Sequence, residues 1–331
     1  VRCEPPRRWS KAGWSTEGFI DSVQAQHIPV LCDEAVEYLA TWRGGLFVDC
    51  TLGLGGHAAA LLESSPELRL IGIDRDGEAL GLARERLAPF GDRVHLVPGN
   101  FSELGALLEA ERVEAVAGVL ADLGVSSLQL ERAERGFSFR LDGPLDMRMG
   151  RTEMTAADVV NGYGEERLRQ VFAEYGEERQ ARRIARAVVR ARELKPIETT
   201  RELQAIVARA KGRSEAARRR KIDPATRVFQ ALRIEVNEEL RGLENLLQEA
   251  VRLLESDGRL VVISYHSLED RIVKNTLRAL DRGEVDEVTG RPRSETRAIE
   301  VLTKKPVRPT AAEVAVNPRA RSAKLRAARR L

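Results

Sequence analysis

The chain has 331 residues, of which 43% are hydrophobic and 32% are charged, a composition typical of a folded globular protein rather than a disordered one. No apolar run reaches the roughly 18–20 residues that cross a membrane, and the first 24 residues lack the apolar core of a secretory signal. Cys3, Cys32 and Cys50 form no CxxC pair, so we expect a cytoplasmic protein without a disulfide framework or membrane contact.

The net charge of +3 is unevenly distributed along the chain. Residues 1–128 carry 11 basic and 19 acidic side chains, whereas residues 129–230 carry 23 and 16. Residues 231–302 carry 11 and 15, and residues 303–331 carry 9 and 1. This segregation favours a nucleic-acid contact surface beside an acidic catalytic body. Arginine-rich helices that are merely solvated remain the alternative.

In the first half of the chain, short apolar runs alternate with helical patterns. Runs of strand length are Leu46–Cys50, Arg69–Ile73, Val94–Val97 and Val116–Leu120. Helices are predicted from the turn Thr51–His57 through Leu62, over Glu78–Leu87 and over Leu104–Glu111. Continuous apolar strands that alternate with helices predict a parallel sheet covered on both faces.

From residue 129 the alternation stops and the pattern becomes helical. Predicted features are helices over Glu165–Tyr175 and Gln180–Leu194, a capping box of Thr199 and Glu202, and one long helix from Asp223-Pro224 to Leu254. Leu260–Ser264 again has the pattern of a buried strand. We therefore expect residues 129–229 to form a helical domain for substrate recognition, inserted into one α/β domain of residues 25–128 and 230–331. Residues 1–24 are predicted to be a disordered extension.

A glycine-rich turn follows the first predicted strand, and its sequence Val48–His57 reads VDCTLGLGGH. Glycines at such a turn let the backbone approach a ligand, and the helix that follows offers free N–H groups. Asp74 lies at the end of the second strand, 21 residues after Gly53. That position suits a carboxylate that accepts hydrogen bonds from the ribose hydroxyls of an adenosine. A Gly-rich turn needed only for packing is the alternative.

Two cofactor classes compete for this turn. Gly53, Gly55 and Ala58 satisfy the GxGxxA fingerprint of NAD-binding proteins. Asp49 at the end of the first strand favours S-adenosylmethionine, because a carboxylate there suits the methyl donor's amino-acid moiety and repels a pyrophosphate. The bulky His57 at the helix start also argues against a pyrophosphate. The residues therefore favour the methyl donor.

Several long strings resemble one family, the RsmH (MraW) family of bacterial 16S rRNA cytosine-N4 methyltransferases. They run in order from His27 to Arg326: HIPVL at 27–31, DCTLGLGGH at 49–57, GVLADLGVSS at 118–127, RGFSFRLDGPLDMRM at 135–149, ATRVFQALRIEVN at 225–237, SYHSLEDRIVK at 264–274 and NPRARSAKLR at 317–326. The resemblance implies a class I S-adenosylmethionine-dependent methyltransferase fold. Such a fold has a Rossmann-like, mostly parallel sheet with an antiparallel last strand, here with an inserted all-helical domain.

The resemblance also implies the activity and the cofactor contacts. The activity is methylation of the exocyclic N4 amine of a decoding-centre cytidine in 16S rRNA, as free RNA or within the 30S subunit, with S-adenosyl-L-methionine as donor. The implied contact residues are Gly55, Gly56, His57, Asp74, Phe101, Asp122 and Gln129. A homodimer is left open. With four histidines and no ligand-like spacing, we expect no metal site.

The catalytic hypothesis rests on the segments after the fourth and fifth strands. We expect Asp122 to accept a hydrogen bond from the target amine, which localises the nitrogen lone pair; the alternative is that it only orients the methyl donor. Tyr265 or His266 is predicted to stack on or bond to the extruded cytosine. A helix cap formed by Ser267, with Asp270 three residues later, is the structural alternative.

Two basic segments are candidate phosphate contacts: Arg218–Lys221 with Arg213, and Arg319–Arg330 with Lys324. Three other functions remain open from the residues alone. They are methylation of another RNA or DNA amine, a non-catalytic nucleoside-binding RNA-assembly factor, and an NAD-dependent oxidoreductase.

Overall fold

The computed structural model describes residues 28–150, 152–212, 223–284, 286, 291 and 293–331. Its strands are β1 Gly45–Asp49, β2 Leu68–Asp74, β3 Val94–Pro98, β4 Val116–Asp122, β5 Leu254–Ser264, β6 Ile299–Val301 and β7 Lys324–Arg330. Its helices before residue 150 are α1 Cys32–Leu39, α2 Gly56–Ser64, α3 Gly77–Leu87, α4 Leu104–Ala110 and α5 Ser127–Glu131. Those that follow are α6 Ala156–Gly162, α7 Glu165–Glu174, α8 Ala181–Arg192, α9 Thr200–Lys211, α10 Thr226–Asn237, α11 Leu243–Leu253, α12 Ser267–Arg282 and α13 Ala311–Val316.

The strands form one sheet in the order β3-β2-β1-β4-β5-β7-β6. The neighbours from β3 to β5 are parallel, whereas β7 is antiparallel to both β5 and β6. This arrangement confirms the predicted mostly parallel sheet with an antiparallel last strand. Strand order reverses direction between β1 and β4, and ligands bind at such switch points beyond the carboxyl ends of the strands.

The sheet separates two hydrophobic cores. Because side chains alternate along a strand, Val48 belongs to the core that α4, α11 and α12 cover, and Phe47 belongs to the core beneath α1, α2 and α3. Both residues are buried, with exposures of 0% and 1%. Burial on both faces explains why the strands are continuous apolar runs in the sequence.

Residues between Phe137 and Val236 build a third core of their own. It includes Phe172 of α7, Val188 of α8, Val207 of α9 and Leu232 of α10, each fully buried. The capping box of Thr199 and Glu202 at the start of α9 is present as predicted. The exact domain limits stay a prediction, and the predicted extension of residues 1–24 lies outside the described residues.

Two predicted helices end earlier than expected. The single long helix predicted to reach Leu254 is wrong: α10 stops at Asn237, Glu238 adopts a left-handed conformation with φ of 49°, and α11 starts at Leu243. Helix α8 ends at Arg192, and Leu194 is 91% exposed instead of facing the core. In the part of the chain that the structure describes, no helix combines the length and apolarity needed to span a bilayer.

Candidate active site

Three strands that lie side by side end on aspartates. Asp49 ends β1, Asp74 ends β2 and Asp122 ends β4. Because β1 lies between β2 and β4 in a parallel sheet, the three carboxylates share the edge where ligands of such sheets bind. The structure thus brings together the strand-end residues that the sequence singled out.

The glycine turn between β1 and α2 has the backbone that the sequence predicts. Gly53 and Gly55 both have positive φ values, 52° and 73°, which favour glycine. A Cβ on Gly55 would lie 3.1 Å from Leu87, whereas a Cβ on Gly53 would meet nothing closer than a backbone oxygen at 3.9 Å. Gly55 is thus needed for packing, while Gly53 borders open space. Gly56 opens α2.

Asp74 ties this turn to the end of β2. Its Oδ2 accepts the Gly53 N–H at 2.7 Å, and its Oδ1 accepts the Asp76 N–H at 2.9 Å. Each carboxylate oxygen has a further lone pair, so Asp74 retains the capacity to accept ribose hydroxyls. The Gly99 N–H donates to the Asp74 carbonyl at 3.0 Å, which brings the turn carrying Phe101 beside the same strand end.

The Asp122 carboxylate accepts one hydrogen bond from a side chain and faces a second side chain. Its Oδ1 accepts the hydroxyl of Tyr265 at 2.8 Å. Its Oδ2 lies 3.6 Å from His57 Nδ1, too far for a hydrogen bond. The backbone N–H of Asp122 donates to Thr51 Oγ1 at 2.6 Å, which joins the end of β4 to the glycine turn. Asp122 and Tyr265, predicted from separate motifs, are therefore in direct contact.

The tautomer of His57 follows from its other contact. His57 is 7% exposed, and its Nε2 lies 2.9 Å from the Val30 carbonyl oxygen. Because a carbonyl can only accept, Nε2 carries the proton and donates it. Burial lowers the pKa of His57, so the ring is neutral and Nδ1 presents a lone pair toward Asp122.

The carboxylates of the pocket lack cationic partners. Among the described residues, neither Asp49 nor Asp122 forms an ion pair with a lysine or arginine, and burial raises the pKa of each to about 7. Asp49 is 1% exposed and accepts the Thr51 N–H at 3.1 Å. Burial also raises the pKa of Asp74. Such a pocket favours a cationic ligand and disfavours a pyrophosphate.

Two further predicted cofactor contacts lie on the segments after β3 and β4. Phe101 begins a 3₁₀ turn and packs partly buried against the core that α11 covers. Gln129 is 5% exposed, and its amide group donates to Asp76 Oδ2 at 3.1 Å and accepts the Ser126 N–H at 3.1 Å. The contacts of Phe101 and Gln129 with the cofactor stay predictions.

His266 caps α12, so the predicted Ser267 cap is wrong. The His266 ring accepts the Glu269 N–H at 3.4 Å, and the Glu269 carboxylate accepts the backbone N–H of His266. The Ser267 hydroxyl instead donates to Glu177. Contact of His266 with the substrate stays a prediction, although its side chain is only 9% exposed.

Glu239, His266 and Glu269 are the trio within the described residues whose donor atoms are close enough to surround a cation. Arg233 already donates to both oxygens of Glu239, at 2.8 and 2.7 Å. His266 Nδ1 accepts the cap hydrogen bond, so Nε2 carries the ring proton and lies 3.1 Å from Glu269 Oε1, at ion-pair distance but poorly aligned for a hydrogen bond. These roles leave no free donor lone pair on His266, and the trio fits a hydrogen-bonded network.

Sequence reasoning missed a second polar cluster beside the pocket. Asp76 is 6% exposed and caps α3 through the Glu78 N–H. Its Oδ2 accepts Arg135 Nη2 at 2.7 Å as well as the amide of Gln129. The cluster fastens the segment after β4 to the end of β2. The spacing Asp74-x-Asp76 followed by a helix is the signal that indicates such a cap.

The second basic candidate, residues 319–330, lies mostly in strand β7, and its contact with RNA phosphates stays a prediction. Asp270 accepts both Lys324 and Arg326, at 3.0 and 2.7 Å. Arg329 pairs with Asp257 and Glu300, each at 2.7 Å. These cations already have partners inside the fold. The other candidate segment, Arg213 with Arg218–Lys221, lies outside the described residues.

Comparison with known proteins decides the family. A model of the MraW methylase family matches residues 24–331. The chain belongs to the MraW methylase family. Three relatives named "Ribosomal RNA small subunit methyltransferase H" come from Geobacter sulfurreducens, Symbiobacterium thermophilum and a Methylobacterium strain. They are 52%, 51% and 50% identical, over 92%, 91% and 92% of this chain and 99%, 95% and 91% of their own lengths.

Membership of the MraW methylase family confirms the prediction from the sequence motifs, and with it the enzyme class, a methyltransferase that uses S-adenosylmethionine. The pocket fits that cofactor. The open backbone at Gly53 leaves room for a ligand beside Asp74, and the carboxylates of Asp49 and Asp122 suit a ligand with a sulfonium and an ammonium group. An NAD-dependent reaction is therefore no longer an alternative.

Proposed function

We propose that this MraW methylase family member methylates the exocyclic N4 amine of a decoding-centre cytidine in small-subunit rRNA. The observation that carries the chemical part is the environment of Asp122. This carboxylate lies at the switch point of the sheet. Among the described residues, no lysine or arginine pairs with it, and none donates a hydrogen bond to its Oδ2. The rRNA substrate is supported by the names of the relatives, which are about 50% identical over most of both chains.

The chemical problem is the weak nucleophile. The N4 lone pair of cytosine is delocalised into the ring, so a group that accepts an N4–H hydrogen bond localises the lone pair and offsets the positive charge that develops on nitrogen. Bound S-adenosylmethionine supplies an electrophilic methyl group on a sulfonium. In-line displacement then depends mainly on positioning and on exclusion of water.

In this proposal Asp122 accepts the amine hydrogen through Oδ2. Tyr265 holds Oδ1 by its hydroxyl at 2.8 Å, which fixes the orientation of the carboxylate. The neutral His57 presents a lone pair 3.6 Å from Oδ2 and so does not compete as a donor. Burial raises the pKa of Asp122 to about 7, and a group with that pKa can take up the amine proton near neutral pH.

Gly53 and Asp74 would hold the adenosine of the cofactor, and Asp49 would face its amino-acid end. Asp74 offers carboxylate lone pairs next to the open backbone of Gly53, where its Oδ2 already accepts the Gly53 N–H. Asp49 ends the neighbouring strand β1, where it pairs in register with Leu120, two residues before Asp122. The cytosine must then enter from the side of Tyr265, after being taken out of its stack.

Methyl transfer from tritiated S-adenosylmethionine to four substrates tests this function. The substrates are 30S particles that lack the modification, protein-free small-subunit rRNA, large-subunit rRNA and DNA. The proposal expects label in small-subunit rRNA, presented free or in particles, and none in the other two. Label in large-subunit rRNA or DNA would establish another amine as the target. Binding of 30S particles without any transfer would instead favour a non-catalytic assembly factor.

A 30S partner, a cytoplasmic location and the open alternative of a homodimer stay predictions. The 30S partner follows directly from the proposed substrate, because the decoding centre is part of the small subunit. Size-exclusion chromatography with light scattering measures the oligomeric state.

A further inference from the structure

Helix α8 (Ala181–Arg192) has one apolar and one strongly cationic face. The apolar face is fixed in the third core by Ile184, Ala185 and Val188, each 0% exposed. The opposite face and the residue pair before the helix present exposed arginines; these are Arg179, Arg182, Arg183, Arg186 and Arg190. The spacing of three or four residues places Arg182, Arg183, Arg186 and Arg190 in neighbouring rows of one helix surface, and Arg179 lies in the turn just before it. We call this set the arginine face.

The arginine face is poorly neutralised by the protein itself. Arg186 lies 3.5 Å from Glu165, and no ion pair within the described residues involves the other four arginines. By contrast, Arg169 on the adjacent helix α7 donates to both oxygens of Glu166. A surface groove of about 630 Å³ runs along the arginine face, and its lining consists of four of these arginines and Gln180.

Contacts at the α7–α8 turn connect this face to the active site. Glu177, in that turn, accepts the Ser267 hydroxyl and Arg271 Nη2, and its carbonyl accepts Arg227 Nη1 at 2.7 Å. Ser267 is two residues after Tyr265, whose hydroxyl contacts Asp122. Arg179, the first residue of the arginine face, is therefore two residues from Glu177, which is held beside the pocket. The rest of the face extends away from the pocket along the helix.

We propose that the phosphate backbone of the RNA substrate docks on the arginine face. The proposal rests on the proposed function and identifies the surface that presents the substrate. Guanidinium groups bind phosphate oxygens in a bidentate manner, and a row of exposed arginines with few ion pairs among the described residues matches a polyanion. RNA bound there would reach the pocket across the α7–α8 turn, at the side where Tyr265 lies.

A triple variant that replaces three arginines by uncharged glutamines tests the proposal. Arg182→Gln, Arg183→Gln and Arg190→Gln together remove three exposed cations without altering the buried face. The matched control is Arg84→Gln, Arg112→Gln and Arg278→Gln, which removes three exposed arginines from α3, the end of α4 and the distal part of α12. Both variants have the same net charge, so a non-specific charge effect moves them equally.

The measurement is binding to protein-free small-subunit rRNA and to 30S particles at several salt concentrations, with cofactor binding as a folding control. We expect the α8 variant to bind both RNA forms about 10- to 100-fold more weakly and its slope of log K against log salt to fall by about 2 to 3. The control variant should keep the wild-type slope within about 1, and both should bind S-adenosylmethionine normally.

Three results overturn the docking proposal while the proposed function stands. Wild-type affinity and salt slope in the α8 variant would show that RNA does not contact this face. Equal losses in both triple variants would show a general charge effect. Weaker binding to 30S particles only would indicate a ribosomal protein as the partner of α8. If instead the wild type transfers no methyl group to small-subunit rRNA, the proposed function itself fails.

Discussion

Two sets of carboxylates lie at the same end of the sheet in opposite electrostatic surroundings. Within the described part of the chain, Asp49 and Asp122 form no ion pair with a lysine or arginine, and burial raises the pKa of each to about 7. At Asp76 burial also raises the pKa, but hydrogen bonds from Arg135 and Gln129 outweigh it and hold the pKa below its usual value. At Glu269 burial again raises the pKa, but the contact with His266, the charge of Arg233 and the Tyr265 N–H together hold that pKa below its usual value.

The difference in charge environment distinguishes carboxylates that are placed to meet a ligand from carboxylates that hold elements of the fold together. A buried carboxylate without a counter-ion is unfavourable to folding, so it persists where a ligand supplies the positive charge. A buried carboxylate that is paired with arginine instead fixes neighbouring elements, as Asp76 fixes the segment after β4. The basic residues divide in the same way. Lys324, Arg326 and Arg329 of β7 have acidic partners in the fold, and the arginines of the arginine face are exposed.

The largest expected effect is that of Asp122→Asn. Loss of the charge removes the acceptor that offsets developing charge on the amine, so we expect kcat to fall about 10²- to 10³-fold. Cofactor affinity should change by less than about fivefold, as measured by calorimetry. Asp76→Asn is the matched control and should retain most of its kcat. Equal losses of kcat and cofactor affinity in Asp122→Asn would mean that Asp122 only orients the methyl donor.

A smaller effect is expected from Arg135→Gln, which removes the cation that pairs with Asp76. The change leaves Asp76, which is 6% exposed, without its cation, and we expect the free energy of unfolding to fall by about 2 kcal/mol. Arg132→Gln serves as the control, because the Arg132 side chain is 46% exposed and its pair with Glu78 lies at the surface; the expected loss is below about 0.5 kcal/mol. Denaturant unfolding measures both. Similar values for the two variants would contradict the distinction.

The smallest effect is a pH dependence of ligand binding. Since the pKa values of Asp49 and Asp122 in the folded protein, about 7, exceed their ordinary value of 3.8, the folded state holds extra protons between about pH 4 and 7. These two groups therefore make the ligand-free protein less stable as pH rises through that window. A cationic ligand favours the ionised carboxylates, so its affinity should rise with pH.

Calorimetry at pH 6, 7 and 8 measures this dependence. We expect the ratio of S-adenosylmethionine to S-adenosylhomocysteine affinities to increase by about tenfold from pH 6 to 8, because only the first carries the sulfonium charge. A constant ratio of the two affinities would show that the carboxylates do not interact with the sulfonium charge.

Local patterns predicted the sheet and the strand-end residues well. Apolar runs ending in Asp49, Asp74 and Asp122 place these side chains together because parallel strands share one carboxyl edge. The break after Asn237 was not predictable in this way, since apolar residues keep a helical spacing on both sides of Glu238 while its left-handed φ of 49° leaves no mark on that spacing.

Contacts between residues far apart in the chain were the second feature that the sequence did not predict. The sequence shows Lys324 and Arg326 as a basic run, but their partner Asp270 is more than 50 residues away in the chain. The His266 cap was missed because serine is the commoner capping residue and the choice depends on backbone geometry. Contact between Asp122 and Tyr265, 143 residues apart, likewise follows from the pairing of β4 with β5.

The most direct measurement of the central claim identifies the methylated atom. Small-subunit rRNA is treated with wild-type protein and S-adenosylmethionine carrying a deuterated methyl group, digested to nucleosides and analysed by tandem mass spectrometry. The account predicts labelled N4-methylcytidine with the wild type and a strongly reduced amount with Asp122→Asn. Label on a ring carbon or a ribose oxygen, or equal labelling by the variant, would contradict it.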